Sequence, residues 1–411
     1  FLFVWDGNKY KYESDIYPMG RLGALTSKGY TKPEPNDYYV INTEPKLKDG
    51  KIEAKITTES NEAHYTDELK LYAIDLPIDK SLSVYQPQRG MSYKVLTDAV
   101  KTVASDKKNV IRATLIDDNN KDITSQVSKI DGIYGILNPN REDPKPQTIE
   151  LDLGDQSTAS KIKLAVMVSA YTPQTEEGRT KMLPTAPKVQ VLNEIGEWAT
   201  ITTNAGKPGE YQREYLIDLT DKFLTNDYRV RITYTNSVYF DAILVDNSEE
   251  FEYSVNELSI SSATLNYHGK NPATIYGYLP TLNYGKPTKY SAYLEGFYTK
   301  FGDVTPLLQA TDDKFVITGS GDQITVKWDP LTTEVAPGYK RHYVLYSNGY
   351  YKYLLMPLEP TVTPLPFAAM SNFPYQNSEK YPDDYDHLQY QKEWNTRWQP
   401  NTSGEVIGRT L

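Results

Sequence analysis

Cysteine is absent from all 411 residues. Disulfides, thiolate metal sites, c-type haem attachment and cysteine nucleophiles are thereby excluded. Histidine is nearly as scarce. The four present, His64, His268, His342 and His387, show no metal-ligand spacing such as HxxxH and are expected at the surface or as caps. No apolar run approaches the ~18 residues of a membrane-spanning helix. The longest candidate, Leu164-Ala165-Val166-Met167-Val168, is the size of a strand. Basic residues are in deficit, 44 Lys and Arg against 54 Asp and Glu, for a net charge of −10. A nucleic-acid partner, which needs a basic face, is not expected, and neither is attraction to an anionic membrane. No GxSxG elbow is present. A carboxylate pair for glycoside hydrolysis is neither indicated nor excluded among so many acidic residues.

Tyrosine is what the chain has instead, 35 of them. Its ring is apolar, its hydroxyl tolerates water and it has only two side-chain torsions, so it suits half-buried pleated surface and contact sites. At this length two to four domains are expected. The dominant hydrophobic period is two rather than 3.6, which predicts an all-β chain. Several β-sandwich or jelly-roll domains in series are expected, followed by an extended tail rich in proline and aromatics.

Residues 1–95 read as a first β domain, opening with a strand, the turn Asp6-Gly7-Asn8 and a second strand. Because Phe1-Leu2-Phe3-Val4-Trp5 already reads as a buried strand, the chain is expected to start in mid-architecture, as a processed or trimmed protein would. Residues 96–250 carry about eight short strands at regular spacing, the pattern of a sandwich or jelly roll. Residues 251–355 read as a further β domain. Within it, 266–300 alternates tyrosine, glycine and proline with little apolar periodicity and is expected to form a long ordered loop or arm. Residues 356–411 form the tail. Met356-Pro357, Pro364-Leu365-Pro366-Phe367 and Phe373-Pro374-Tyr375 should be extended, since proline fixes φ and removes a donor. Residues 383–394 should be one short helix.

Three sets of residues are candidates for function. The acidic loop Asp117-Asp118-Asn119-Asn120-Lys121-Asp122 is dense in oxygen ligands, and Asp117, Asn119 and Asp122 would be the calcium ligands. The other reading is a solvated hairpin tip, since the glycine and distant glutamate of an EF-hand loop are missing. Asp383, Asp384 and Asp386 read as a helix N-terminus favoured by the dipole, ahead of a metal site. Tyr276, Tyr278 and Tyr284, with Tyr290, Tyr293 and Tyr298 nearby, are candidates to face outward from the arm. Gly319-Ser320-Gly321-Asp322 reads as a turn between strands rather than a phosphate cradle.

Five stretches also carry a family resemblance: Phe1-Leu2-Phe3-Val4-Trp5-Asp6-Gly7 with Ser14-Asp15; Asp67-Glu68-Leu69 with Ala73-Ile74-Asp75; Ile149-Glu150-Leu151-Asp152-Leu153-Gly154-Asp155; Phe301-Gly302-Asp303-Val304-Thr305-Pro306-Leu307-Leu308 with Asp312-Asp313-Lys314-Phe315-Val316-Ile317; and, in the tail, Pro364-Leu365-Pro366-Phe367, Ala369-Met370-Ser371, Tyr381-Pro382-Asp383-Asp384 and Glu393-Trp394-Asn395-Thr396-Arg397. Through them the chain resembles the C-terminal region of extracellular bacterial proteins that carry FG-GAP propeller or tetratricopeptide repeats. Residues 148–245 resemble a galactose-binding-like jelly roll. The resemblance implies a secreted or surface location, and none of the residues that carry it is catalytic. Where relatives carry an acidic stretch, this chain runs Tyr350-Tyr351-Lys352-Tyr353, so an ion site there is not implied.

The expected function is that of a non-enzymatic extracellular structural protein assembling with its own copies into a filament or surface layer. Tyr276, Tyr278, Tyr284, Phe367, Phe373, Tyr375, Trp394 and Trp398 are the expected interface. Removing residues 357–411 is expected to leave the β domains folded and to abolish assembly. The alternative is a carbohydrate-binding or adhesion module, with Tyr171, Trp198 and Tyr239 against a surface glycan. No cofactor is expected apart from the calcium reading.

Overall fold

The side-chain alternation along Lys51–Thr57 explains half of the molecule. Ile52 and Ala54 are buried in an apolar core, while Glu53 and Lys55 point to the opposite face. A strand of this kind needs partners on both edges and a second layer over its apolar face. The computed structural model describes residues 1–16, 22, 25–26, 29–30, 35–85, 101–140, 143, 145–171, 187–201, 212–249, 251–276, 279–289, 292–353, 362 and 381–402. The protein is essentially all-β, with antiparallel sheets and, among the described residues, one α-helix, Tyr385–Trp394. It divides into two compact units. One holds residues 1–75, 255–335 and 341–411, and the other 76–254 and 336–340.

The first unit is a sandwich of two sheets. One sheet runs in the order Tyr10–Ser14, Leu2–Trp5, Lys51–Thr57, Asp322–Trp328, Ile260–Tyr267, Gly302–Asp303, with Leu47–Lys48 paired beside Lys51–Thr57. The other runs Val255–Leu258, Glu62–Pro77, Tyr339–Tyr353, Asn36–Ile41, with Val316–Thr318 on Glu62–Pro77. Leu2, Val4, Ile52, Ala54, Ala263, Leu265, Ile324, Val326 and Trp328 come from the first sheet. They meet Tyr39, Ile41, Leu69, Leu71, Ala73 and Leu345 from the second. The stretches that the sequence suggests as separate domains, 1–95 and 251–355, share both sheets. Strand pairing here joins segments some 270 residues apart, as at Lys55 and Thr325, and period-two patterning carries no information about such partners.

The second unit is also a sandwich. A five-stranded sheet has the order Lys107–Asn109, Ser237–Asp246, Lys163–Tyr171, Arg213–Asp218, with Gly135–Leu137 on Ser237–Asp246. A six-stranded sheet has the order Lys121–Asp122, Arg112–Leu115, Gln147–Asp152, Arg229–Tyr234, Lys188–Leu192, Trp198–Ile201. Ile149, Leu151, Val230 and Ile232 face Leu164, Val166, Val168, Val238 and Phe240 across one core. A bulge sits between the pairs Met167–Ala242 and Val168–Phe240, leaving Asp241 without a partner residue in the ladder. The extra residue shifts the alternation, so Val238 and Phe240 on one side and Ile243 and Val245 on the other all reach the core. Asp241 uses its freed position to accept Asp131 N–H and Gly132 N–H, both at 3.0 Å, and the Gln212 amide.

The described tail lies on the chain's own first unit. Asp384 caps the helix by accepting His387 N–H at 3.1 Å, and Asp386 sits in the first turn, so the three aspartates mark a helix start. Tyr390 is buried in the core, and its hydroxyl donates to the Phe315 carbonyl at 2.6 Å. Strand Arg397–Gln399 then pairs with Gly296–Tyr298. Arg397 reaches the fully buried Asp322 through two bonds, 3.1 and 2.6 Å, while its Nε donates to the Thr299 carbonyl at 3.0 Å. Gly319 N–H at 2.9 Å and the Tyr293 hydroxyl at 3.2 Å complete the carboxylate's shell. A Cβ on Gly319 would stand 2.4 Å from the Tyr293 ring, so the turn before Asp322 tolerates only glycine. The expectation that removing 357–411 spares the β fold therefore changes: such a deletion takes Tyr390 from the core and strips the cation from a buried acid. The arm at 266–300 is more regular than expected. Ile260–Tyr267 continues into it, Ala273–Tyr276 pairs with Leu279–Leu282, and Tyr293 and Tyr298 are interior.

Two outcomes follow for urea unfolding of this unit. Arg397→Met should cost about 3–5 kcal/mol, because it leaves a buried carboxylate unpaired, whereas the double variant with Asp322→Asn should recover much of that loss. Asp67 is fully buried and accepts Asp312 N–H at 3.2 Å and Asp313 N–H at 3.1 Å. Burial, aided by the Asp313 and Asp312 carboxylates, outweighs those bonds and pushes its acid up to about 7. An acid that holds its proton more tightly when folded makes stability fall as pH rises from about 4 to about 7, and leaves it level above. Asp67→Asn should flatten that slope in thermal melts across the same pH window.

Candidate functional site

The outward face of the seven-stranded sheet gathers more chemistry than any other described surface. Alternation puts Phe3 and Trp5, Tyr10 and Tyr12, Glu53 and Lys55, and Gln323, Thr325 and Lys327 on the side away from the core. Register then sets them in rows. One row runs Tyr12, Phe3, Lys55, Thr325, Thr264, each directly opposite the next. In the neighbouring row Lys327 stands opposite Glu53, and Tyr10 opposite Trp5.

Glu53 is the centre of the face and is buried. Lys55 lies 3.3 Å from it, and Lys48 and Lys327 each lie 3.4 Å from it. The Tyr10 hydroxyl donates to Glu53 and accepts from the Lys48 ammonium at 2.5 Å. Lys48 sits 4.8 Å from the Trp5 ring centre and 4.7 Å from that of Tyr10, and Lys55 lies 5.2 Å from the Tyr10 ring. Burial would push the Glu53 carboxyl up, but the Tyr10 hydroxyl and the lysines outweigh it and hold the carboxyl below its ordinary range. Burial lowers the Lys55 ammonium against the pull of Glu53. It also raises the Tyr10 phenol, and the hydrogen bond to Glu53 raises it further. Tyr284 closes the aromatic rim. Its ring packs on Tyr10 at 4.7 Å and Phe3 at 5.3 Å and stacks on His268 at 4.8 Å, and its hydroxyl donates to Gln323 at 2.8 Å. One carboxylate thus faces three ammoniums. The arrangement holds fixed positive charge beside half-exposed rings.

A second surface feature lies around Arg397. Trp398 is 51 % exposed, Phe297 39 % and Phe301 45 %. The Phe297 and Trp398 rings meet edge-on at 4.9 Å, and the Arg397 guanidinium lies 4.2 Å from the Phe301 ring.

The residues singled out from the sequence are placed as follows. Trp398 is at the surface, and Trp394 is half-buried beneath Lys300, whose ammonium stands 4.4 Å from its ring. Tyr284 is tied into the rim of the cationic face. Tyr276 ends the strand Ala273–Tyr276. Tyr278, Phe367, Phe373 and Tyr375 lie outside the described residues. The three carbohydrate candidates do not form one platform. Tyr171 and Tyr239 belong to the five-stranded sheet and Trp198 to the edge of the six-stranded one. Tyr239 is 1 % exposed, and the Arg231 guanidinium lies 4.2 Å from the Trp198 ring. In the acidic loop, Asp117 accepts Thr148 N–H at 2.7 Å, while Asp122 accepts both Thr124 N–H at 2.9 Å and its hydroxyl at 2.6 Å. Asn119 occupies the left-handed region at φ 51°. These groups brace their own turn, and no cluster of three or more acidic or histidine ligands is found among the described residues. Sequence reasoning missed Lys48, Lys55, Lys327 and Glu53. Alternation marks Glu53 and Lys55 as outward, but the partner that brings Lys327 opposite has no local signal.

A scan against protein-family models matches none, and no curated protein or solved structure matches the chain.

Glu53→Gln is expected to lower stability by about 1–3 kcal/mol above pH 5 by leaving the three lysines without their shared counter-charge and turning amide N–H groups toward them. A carboxylate held low in the fold stabilises above its unfolded range and loses that contribution as the pH falls through it. The variant should therefore melt with a shallower acid limb than the wild-type chain when thermal midpoints are compared between about pH 3 and pH 6.

Proposed function

We propose that the protein is a non-enzymatic extracellular structural module that assembles with its own copies into a filament or surface layer. The observation that carries this reading is the pair of exposed rings Phe297 and Trp398, which meet edge-on on one face of the ribbon of Gly296–Tyr298 and Arg397–Gln399. Half-exposed rings grouped on one surface are costly in water and are the residues that anchor protein interfaces. The patch is rigid as well as apolar. Arg397, between Thr396 and Trp398, is fixed by the buried Asp322, so little side-chain order remains to be lost on contact. A contact between a patch and a different surface is heterologous, and it propagates as an open polymer.

The extracellular setting rests on the family resemblance of the tail and of residues 148–245. Absence of cysteine is compatible with it, and the β-sandwich of the second unit is the architecture that the galactose-binding-like resemblance calls for. Trp398, among the residues expected at the interface, is exposed on a tail strand that pairs with Gly296–Tyr298 of the same chain.

The double variant Phe297→Ala with Trp398→Ala is expected to leave the thermal midpoint nearly unchanged and to abolish polymers in electron microscopy and sedimentation. Raising the salt from about 0.01 to 0.15 M should promote assembly of the wild-type chain, because copies with a net charge of −10 repel less when screened. Undiminished assembly of the double variant would overturn this reading.

A further inference from the structure

The cationic face is separate from the aromatic patch and lies on another sheet of the same unit. Lys48, Lys55 and Lys327 against Glu53 leave a formal local charge of +2 (three ammoniums less one carboxylate) in a chain whose total is −10. Such a reversal of sign, held on a rigid sheet, is charge complementarity waiting for an anion. The lysines are not spread as a solvated surface. Lys48 and Lys327 keep 34 % and 32 % of their side chains exposed, while Lys55 is held at 13 % with its ammonium 2.8 Å from the Thr325 hydroxyl. Glu53 is buried beneath the ammoniums and fixes them in place.

We propose that this face binds an acidic saccharide, a sugar ring bearing a carboxylate or sulfate, with Lys48 and Lys327 on the anion and Trp5 at the ring. The ammoniums supply charge-assisted hydrogen bonds. The half-exposed Trp5 ring, tilted at 59° to Tyr10, gives the apolar side of a sugar a surface to rest on. The rows beyond hold two half-exposed neutral partners for hydroxyls, Thr325 and Asn266, each bonded to the buried Gln323 amide, at 3.3 and 3.5 Å. A peptide recognised by strand addition needs a sheet edge, and this site is the middle of a face. An acidic peptide is thus disfavoured, and a chain of charged rings lying across the rows is favoured.

The test uses the full chain with four soluble probes: polygalacturonate for carboxylate, dextran sulfate for sulfate, uncharged dextran and poly-glutamate. Retention is read by affinity electrophoresis and affinity by titration calorimetry. Polygalacturonate, dextran sulfate or both should bind, the tighter of the two naming the anion, and binding should weaken with salt. Lys48→Gln and Lys327→Gln should each reduce affinity about tenfold, the loss of one charged hydrogen bond, with circular dichroism and urea midpoint close to those of the parent. Trp5→Ala should weaken saccharide binding. Retention of full affinity in both lysine variants would overturn the proposal. So would equal binding of poly-glutamate, equal binding of uncharged dextran, or no binding of either acidic saccharide. Polymer formation is scored separately through the Phe297 and Trp398 variants, so failure of one site leaves the other measurable.

Discussion

The antiparallel pairing of Lys51–Thr57 with Asp322–Trp328 is the constraint on which the first unit depends. It brings an early and a late part of the chain into one sheet and lines up Ile52, Ala54, Ile324, Val326 and Trp328 for a common core. The same register fixes the opposite face. Lys327 falls across from Glu53 and Thr325 across from Lys55, so the cationic cluster is a direct product of which residue pairs with which. A slip of one residue would send Glu53 and the lysines into the core and the valine and isoleucines into water. The apolar core thus enforces the geometry of the charged face.

That strand also begins at Asp322, which explains how the tail is held. The buried carboxylate sits at the end of the turn Gly319-Ser320-Gly321 and has a fixed direction. Arg397 meets it with a planar fork, two bonds at once. A buried pair of this kind adds little net stability compared with an apolar substitute, but it penalises every arrangement in which one partner is missing. Its value lies in register: it fixes where Arg397–Gln399 lies along Gly296–Tyr298, and so which way Trp398 and Phe297 face. Stability of the tail itself comes from Tyr390 in the core and from the ring cluster around Tyr293, Tyr298 and Phe315.

Much of the abundance of tyrosine is spent inside. Tyr65, Tyr234, Tyr239, Tyr298 and Tyr351 are among the largest fully buried side chains. Buried hydroxyls take carbonyl partners: Tyr65 donates to Val362, Tyr298 to Leu294 and Tyr390 to Phe315. A tyrosine in an alternating strand looks the same in sequence whether its tip ends on water or on a buried carbonyl. That ambiguity is why Tyr293, Tyr298 and Tyr239, read as outward candidates, are interior, while Tyr267, Tyr339 and Tyr385 are exposed alongside Trp398, Phe297 and Phe301.

Local chemistry alone was enough for several features. Period-two patterning gave the all-β class, Asp6-Gly7-Asn8 gave the opening hairpin, Gly319-Ser320-Gly321-Asp322 gave a turn, and the aspartates at 383–386 gave the start of the helix. Each depends on neighbours within a few residues, whose sterics and hydrogen bonds act whatever the rest of the chain does. Partner choice was decided only in three dimensions. Strands with the same alternation are interchangeable as patterns, and the one that wins is the one whose side chains fill the shared core. Hence Glu53, Lys55 and Lys327 were legible as charges but not as a cluster, and Arg397 as a basic residue but not as the clamp on Asp322.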